Sequence, residues 1–171
     1  GEFISDNYLY LVSMRPQLLI LLHFLLFSTF IAAQQSMKGM QSLRQIPREG
    51  LVLDQGWKFM PGDDPARSDP AFNDSGWTPI DPTDEMHHLP QLRDSERGWL
   101  RLKLNIDSSF QGKSPAVLVS GFGAMEIYLN GKLTYDFGKP SSDYATEQTE
   151  YFTNKLLSLT FANSPTQVLA I

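Results

Sequence analysis

Glu126-Ile127-Tyr128-Leu129-Asn130-Gly131-Lys132-Leu133 decides the fold. Asn-Gly between two alternating segments is the strongest short-range signal for a two-residue hairpin, because both turn positions require positive φ. Met125, Ile127 and Leu129 share one face of the incoming strand, and Glu126, Tyr128 and Asn130 share the other. Leu133 and Tyr135 continue the return strand.

Outward from this hairpin the chain keeps the same character. Trp99 to Ile106 is the clearest further strand: Leu100, Leu102, Leu104 and Ile106 form an aliphatic face, and Arg101, Lys103 and Asn105 form a polar face that also carries Trp99. Leu51-Val52-Leu53 leads through Gly56 to Trp57-Lys58-Phe59, where Trp57 and Phe59 share a face. Ala116 to Ser120 and Tyr151 to Phe161 add strands, the latter with Leu157 and Leu159 inward. Pro61 to Pro70 breaks both helix and strand, and Asn73-Asp74-Ser75-Gly76 predicts a turn that positions Trp77. Short strands separated by turn-rich loops predict an all-β sandwich.

Three segments accompany the hairpin: Asp54-Gln55-Gly56-Trp57-Lys58-Phe59, Phe72-Asn73-Asp74-Ser75-Gly76-Trp77 and Gly98-Trp99-Leu100-Arg101-Leu102. They hold all three tryptophans. In this order the segments resemble the galactose-binding-like jelly roll, used as the sugar-binding domain of family 2 glycoside hydrolases and as an extracytoplasmic sensor. The resemblance is closer to the sensor version at the N-terminus of bacterial membrane-bound signalling proteins, chiefly sensor histidine kinases. It covers about residues 50–171 and implies a galactose-binding-like jelly-roll β-sandwich with a sensory, ligand-binding role. It implies no reaction in this segment. The rival expectations are an ancillary sugar-binding domain of a secreted glycoside hydrolase and a free carbohydrate-binding module.

The N-terminus sets the location. Met14-Arg15-Pro16-Gln17 is a short positive start, Leu18 to Ile31 is almost wholly apolar, and Ala32-Ala33 precedes the polar Gln34-Gln35-Ser36. This reads as a signal peptide over 14–33, cleaved after Ala33, and predicts an exported, periplasmic or cell-surface protein. The apolar run falls short of the ~20 residues that span a bilayer as a helix. An uncleaved anchor and a buried core helix are the other readings. Residues 1–13 precede a good start at Met14 and read as cloning-derived or upstream sequence. Residues 34–49 read as a flexible leader or, from the spacing of Met37, Met40, Leu43 and Ile46, as a short amphipathic helix. Val168-Leu169-Ala170-Ile171 reads as a buried strand with no turn signal after it. The expectation is a truncated sandwich whose C-terminal continuation reaches the membrane.

A chain of 171 residues with a net charge of −5 suits one globular domain and gives no electrostatic reason to expect nucleic acid. The absence of cysteine excludes disulfides, thiol nucleophiles and cysteine-type zinc sites from this segment. Asp63, Asp64, Asp69 and Asp74 are oxygen ligands close in sequence, so they are the candidate metal set, with solvated turns as the alternative. The resemblance admits a structural calcium ion near such loops. His87-His88 lacks metal-site spacing and reads as a loop pair. No nucleophile elbow occurs, and Glu85, Glu96 and Glu126 carry no glycosidase pattern.

Sugars are held by aromatic faces together with planar polar groups. His87, His88, Arg93, Trp99, Arg101 and Tyr128 are therefore the candidate ligand-binding residues, for an unidentified small molecule or carbohydrate. Trp57, Trp77, Asn130 and Gly131 are expected to be structural. For the tryptophans core packing is the competing reading, and for Arg101 an ion pair with a carboxylate such as Glu126.

Overall fold

The computed structural model describes residues 39–84, 88–93, 95, 97–141 and 145–171. The expected signal peptide, the segment before it and His87 lie outside the described residues. Among those described, nine strands form two sheets, with one α-helical turn, α1 (Pro90–Arg93). The larger sheet has the order β3 (Thr78–Pro79), β2 (Trp57–Pro61), β4 (Gly98–Ile106), β9 (Thr166–Ala170), β6 (Met125–Leu129), β7 (Lys132–Phe137). The smaller sheet pairs β5 (Ala116–Gly123) with β8 (Glu150–Ser158), antiparallel. The all-β sandwich expected from the sequence is the architecture observed.

The alternation along β4 explains the core. Leu102, Leu104 and Ile106 are buried with Phe59 of β2, Ile127 and Leu129 of β6, and Phe152 and Leu157 of β8. Full burial of each such side chain stabilises by about 1.5–3 kcal/mol. Phe137 of β7 stacks on Phe152 of β8 at 4.3 Å between centroids, so an aromatic pair joins the two sheets.

The opposite face of β4 differs from the polar surface expected for it. Trp99 and Arg101 are both buried, Arg101 to 1% exposure. The reason is the long segment after β2: residues 62–77 fold back over the outer face of the larger sheet. There Phe72, Met60 and Tyr128 pack around Trp77, Trp99 and Ala170 as a second small core.

A second correction concerns residues 34–49. Met40–Leu43 is a strand, β1, parallel to β4 with Leu43 opposite Ile106, and not part of a helix or a loose leader. β4 has nine residues and β2 covers only Gly98–Leu102 of that edge, so the remainder offers open ladder positions. Pairing there, with Leu43 buried in the core, outweighs the marginal stability of an isolated helical turn or two.

The hairpin forms where expected. Asn130 and Gly131 have φ of 51° and 80°, and Leu129 pairs with Lys132. β9 is buried as expected and lies inside the sheet, paired with β4 on one side and β6 on the other. On the smaller sheet Leu118 faces Leu156 and Phe122 faces Tyr151 across the strands, all four exposed.

Candidate functional site

The loop that covers the outer face carries most of the candidate metal ligands, and each has a different partner. The Asp64 carboxylate accepts from the Ala66 N–H at 3.0 Å and caps a 3-10 turn over Pro65–Ser68. Asp69 accepts from the Ala71 N–H at 2.8 Å, and Asp63 pairs with Arg97 at 3.0 Å. Asp74 is buried and receives three cations: Lys58 at 2.9 Å, Lys103 at 3.0 Å and Arg101 at 3.4 Å. Among the described residues no three metal-binding side chains converge. These carboxylates do not fit a calcium ion, since Asp74 is already neutralised and the others cap turns or pair with arginine.

Burial alone would raise the Asp74 pKa, but hydrogen bonds and Coulombic attraction from Lys58 and Lys103 hold it below the usual carboxylate range. Arg101 completes this cluster and does not pair with Glu126. Its Nη1 donates to the carbonyls of Arg67 and Asp69, and its guanidinium lies over the rings of Phe72 and Trp77 at 5.9 and 5.8 Å. Nη2 has no hydrogen-bond partner among the described residues. The two aromatic faces give that cation an electrostatic substitute. Arg101 is thus enclosed and serves to fasten the covering loop to the sheet. Trp77 belongs to the same assembly, and Trp57 is buried in the main core with its indole N–H donating to the Leu53 carbonyl at 2.7 Å.

The other sequence candidates separate. Trp99 and Tyr128 meet at 5.5 Å between ring centroids and form one wall of a cleft of about 370 Å³ at one end of the sandwich. His88 is exposed and does not line this cleft, and Arg93 closes α1. Arg97, Phe122 and Glu147, which the sequence reading did not select, also line it, as does Asp63, which that reading placed in the metal set. A second concavity of about 420 Å³ lies beside Lys58 and β3, where the aromatic residue of the lining is Trp57, buried like Trp99.

Within the cleft the Tyr128 hydroxyl donates to the Glu126 carboxylate at 2.5 Å. Desolvation, this hydrogen bond and the charges of Glu126 and Asp63 push the Tyr128 pKa up to about 12, so it remains a neutral phenol at ordinary pH. The arrangement can stack an apolar face on aromatic rings and hydrogen-bond hydroxyl groups through carboxylates and a guanidinium. Glu126 and Tyr128 are two residues apart on one strand, so their shared face was readable from the alternation. The Asp63–Arg97 pair joins residues 34 apart and left no local signal.

No family model and no curated protein matches this chain. Solved structures do match it. Bacteroides uniformis beta-glucuronidase 2, covalently bound to cyclophellitol-6-carboxylate aziridine, matches at 23% identity and a TM-score of 0.50, over 70% of this chain and 14% of that one. A glycosyl hydrolase family 2 member from Bacteroides cellulosilyticus matches at 20% identity and a TM-score of 0.50, over 70% of this chain and 17% of that one. The chain therefore spans less than a fifth of either enzyme, and what it shares with that part of them is the fold.

Proposed function

We propose that this chain is a non-catalytic, carbohydrate-contacting β-sandwich, exported through the segment Met14–Ala33 and acting as an accessory domain of a larger glycoside-processing protein. The observation that carries the reading is the cleft at the sandwich end, where the exposed Phe122 and the half-buried Tyr128, backed by Trp99, stand beside Glu126, Asp63 and Arg97. Aromatic faces with a few convergent planar polar groups are the usual chemistry of sugar recognition. The solved structures that share the fold are family 2 glycoside hydrolases and extend far beyond this domain, which supports a part played alongside a separate catalytic domain. The sensor role implied by the sequence resemblance has no comparable support, so the accessory role is preferred.

The lining also favours a class of sugar. Asp63, Glu126 and Glu147 set three carboxylates against the single guanidinium of Arg97, an excess of negative charge that repels a uronate and suits a neutral, hydroxyl-rich ring. The test is titration of the mature chain with neutral oligosaccharides and with glucuronate, following tryptophan fluorescence, since Trp99 lines the cleft. Saturable binding of a neutral sugar that Phe122→Ala and Glu126→Gln both weaken is the expected result. No saturation by any neutral sugar at tens of millimolar, or binding that ignores both substitutions, overturns the reading.

A further inference from the structure

The smaller sheet meets the cleft at one end. β5 finishes there with Phe122 and Gly123, and β8 begins there with Glu150 and Tyr151 opposite them in the ladder. Phe122 is 71% and Tyr151 76% exposed. Residues directly opposite in an antiparallel pair turn their side chains to one face, about 5 Å apart, so the two rings form an exposed aromatic plate on the scale of one sugar ring. Phe122 also lines the cleft, as do Ala124 and Glu147 close to the two strand ends, whereas Tyr151 lies outside the lining.

The plate is held from beneath. Phe152, next to Tyr151 on β8, is buried and stacks on Phe137 at 4.3 Å. It packs under Gly121, next to Phe122, where a Cβ would stand 2.9 Å from the Phe152 ring. A core ring is thereby seated directly below the strands that carry the plate. Further along the sheet the register shifts between Val119 and Gly121. Such a bulge increases the local twist and re-aims the side chains on either side of it. The exposed Ser120 and Thr153 lie at this step, so hydroxyl groups separate the aromatic pair from Leu118 and Leu156. A protein interface of standard size, about 800 Å² on each partner, calls for an unbroken apolar centre, which this polar step interrupts. Aromatic rings bordered by hydroxyl groups have the chemistry of a sugar site.

We propose that the Phe122–Tyr151 plate is an outer subsite of the cleft, and that the ligand is a neutral oligosaccharide with one unit in the cleft against Tyr128 and the next stacked on the plate. This rests on the carbohydrate reading of the cleft and adds to it the length of the ligand. Phe122 stands at the junction and serves both units, while Tyr151 serves the outer one, so Tyr151 separates the two subsites. The neutral class follows from both parts, since the plate carries no charge and the cleft holds an excess of carboxylates. Rings fixed by the core before binding lose little freedom when the sugar arrives, so the outer unit adds affinity as well as contact.

The experiment follows the NMR shifts of the chain during titration with cello-, xylo- and manno-oligosaccharides of one to three units. In the series that binds, the trisaccharide is expected to bind at least about fivefold more tightly than the monosaccharide, the return of one added aromatic contact. Tyr151→Ala is expected to bring that ratio to about one, because it removes the outer ring. Tyr151→Trp retains the ratio, and so does Leu118→Ala beyond the bulge. Equal affinity at every length, or a ratio that survives Tyr151→Ala, overturns the inference and leaves the cleft reading standing. Failure of every length to bind overturns both. Self-association of the chain that Tyr151→Ala abolishes, with no gain in affinity by length, overturns the outer subsite and assigns the plate to a second copy.

Discussion

Asn130 and Gln167 lie 37 residues apart in sequence and meet at 2.7 Å, the Asn130 Nδ2–H donating to the Gln167 Oε1. The Asn130 Oδ1 in turn accepts from the Val168 N–H at 2.8 Å. Gln167 is fully buried and also binds the turn before β9, through the Ala162 N–H and the carbonyls of Ala162 and Ser164. The hairpin tip and the entry to β9 are thereby one hydrogen-bonded unit. Asn130 supplies the left-handed turn and, through its side chain, acts as an extra rung of the sheet.

This double role separates two substitutions. Asn130→Gly keeps the turn conformation but removes both side-chain bonds and leaves buried Gln167 short of a partner, so a loss of about 1–3 kcal/mol is expected. Gly131→Val keeps the bonds but places a β-branched residue at a φ of 80°, with its Cβ 3.1 Å from the Pro70 ring. That costs about 1–3 kcal/mol through strain. Urea unfolding of the two variants checks both, and an unchanged midpoint for Gly131→Val would contradict the turn geometry.

Asp74 makes the fold sensitive to acid. Its carboxyl titrates lower in the folded chain than in the unfolded one, so its stabilising contribution is complete above the ordinary value of 3.8 and is lost as pH falls below it through the folded value. Asp74→Asn is expected to flatten stability below pH 3.8. It also leaves Arg101 buried without its carboxylate, at a cost of about 3–5 kcal/mol near neutrality. Chemical denaturation of both proteins across the acid range is the measurement.

Tyr128 makes the complementary prediction at high pH. Its folded pKa of about 12 lies above the ordinary 10.0, so the folded chain holds a proton that the unfolded chain releases between these values. Stability therefore declines as pH rises from 10 towards 12. Ultraviolet titration should resolve one late-ionising tyrosine, and Tyr128→Phe should abolish that step while changing stability at pH 7 by no more than about 1 kcal/mol.

Export is tested at the N-terminus. Expression from Met14 in a bacterial host should yield a mature protein beginning at Gln34, by N-terminal sequencing. Recovery of soluble cytoplasmic protein that still begins at Met14 would refute the signal peptide.

What the sequence made legible was local. The positive-φ turn at Asn130-Gly131, the aliphatic row of β4 and the burial of Val168 to Ala170 each follow from neighbouring residues and a period of two. The pairing of Arg101 with Asp74 was hidden because it joins residues 27 apart, and because Glu126, the nearer guess, answers to Tyr128 instead. β1 was hidden for a related reason: Met37, Met40, Leu43 and Ile46 have helical spacing, and only the free edge of a strand sixty residues later makes Met40–Leu43 extended. For the cleft, Trp99 and Tyr128 were readable as exceptions on polar faces. Asp63, Arg97 and Phe122 reach it from separate loops and strand ends.

Residues 62–77 look like a surface connection, the kind of segment in which evolution inserts residues and proteases cut without harm. Here that licence is withdrawn. With its own Asp74 and Trp77 buried against the sheet and Arg101 holding its carbonyls, the segment behaves as a third layer of the molecule. Insertions there will register as core defects, and a nick within it will uncover a cation and two aromatic rings at once. The tolerant positions of this domain are to be sought in its other loops.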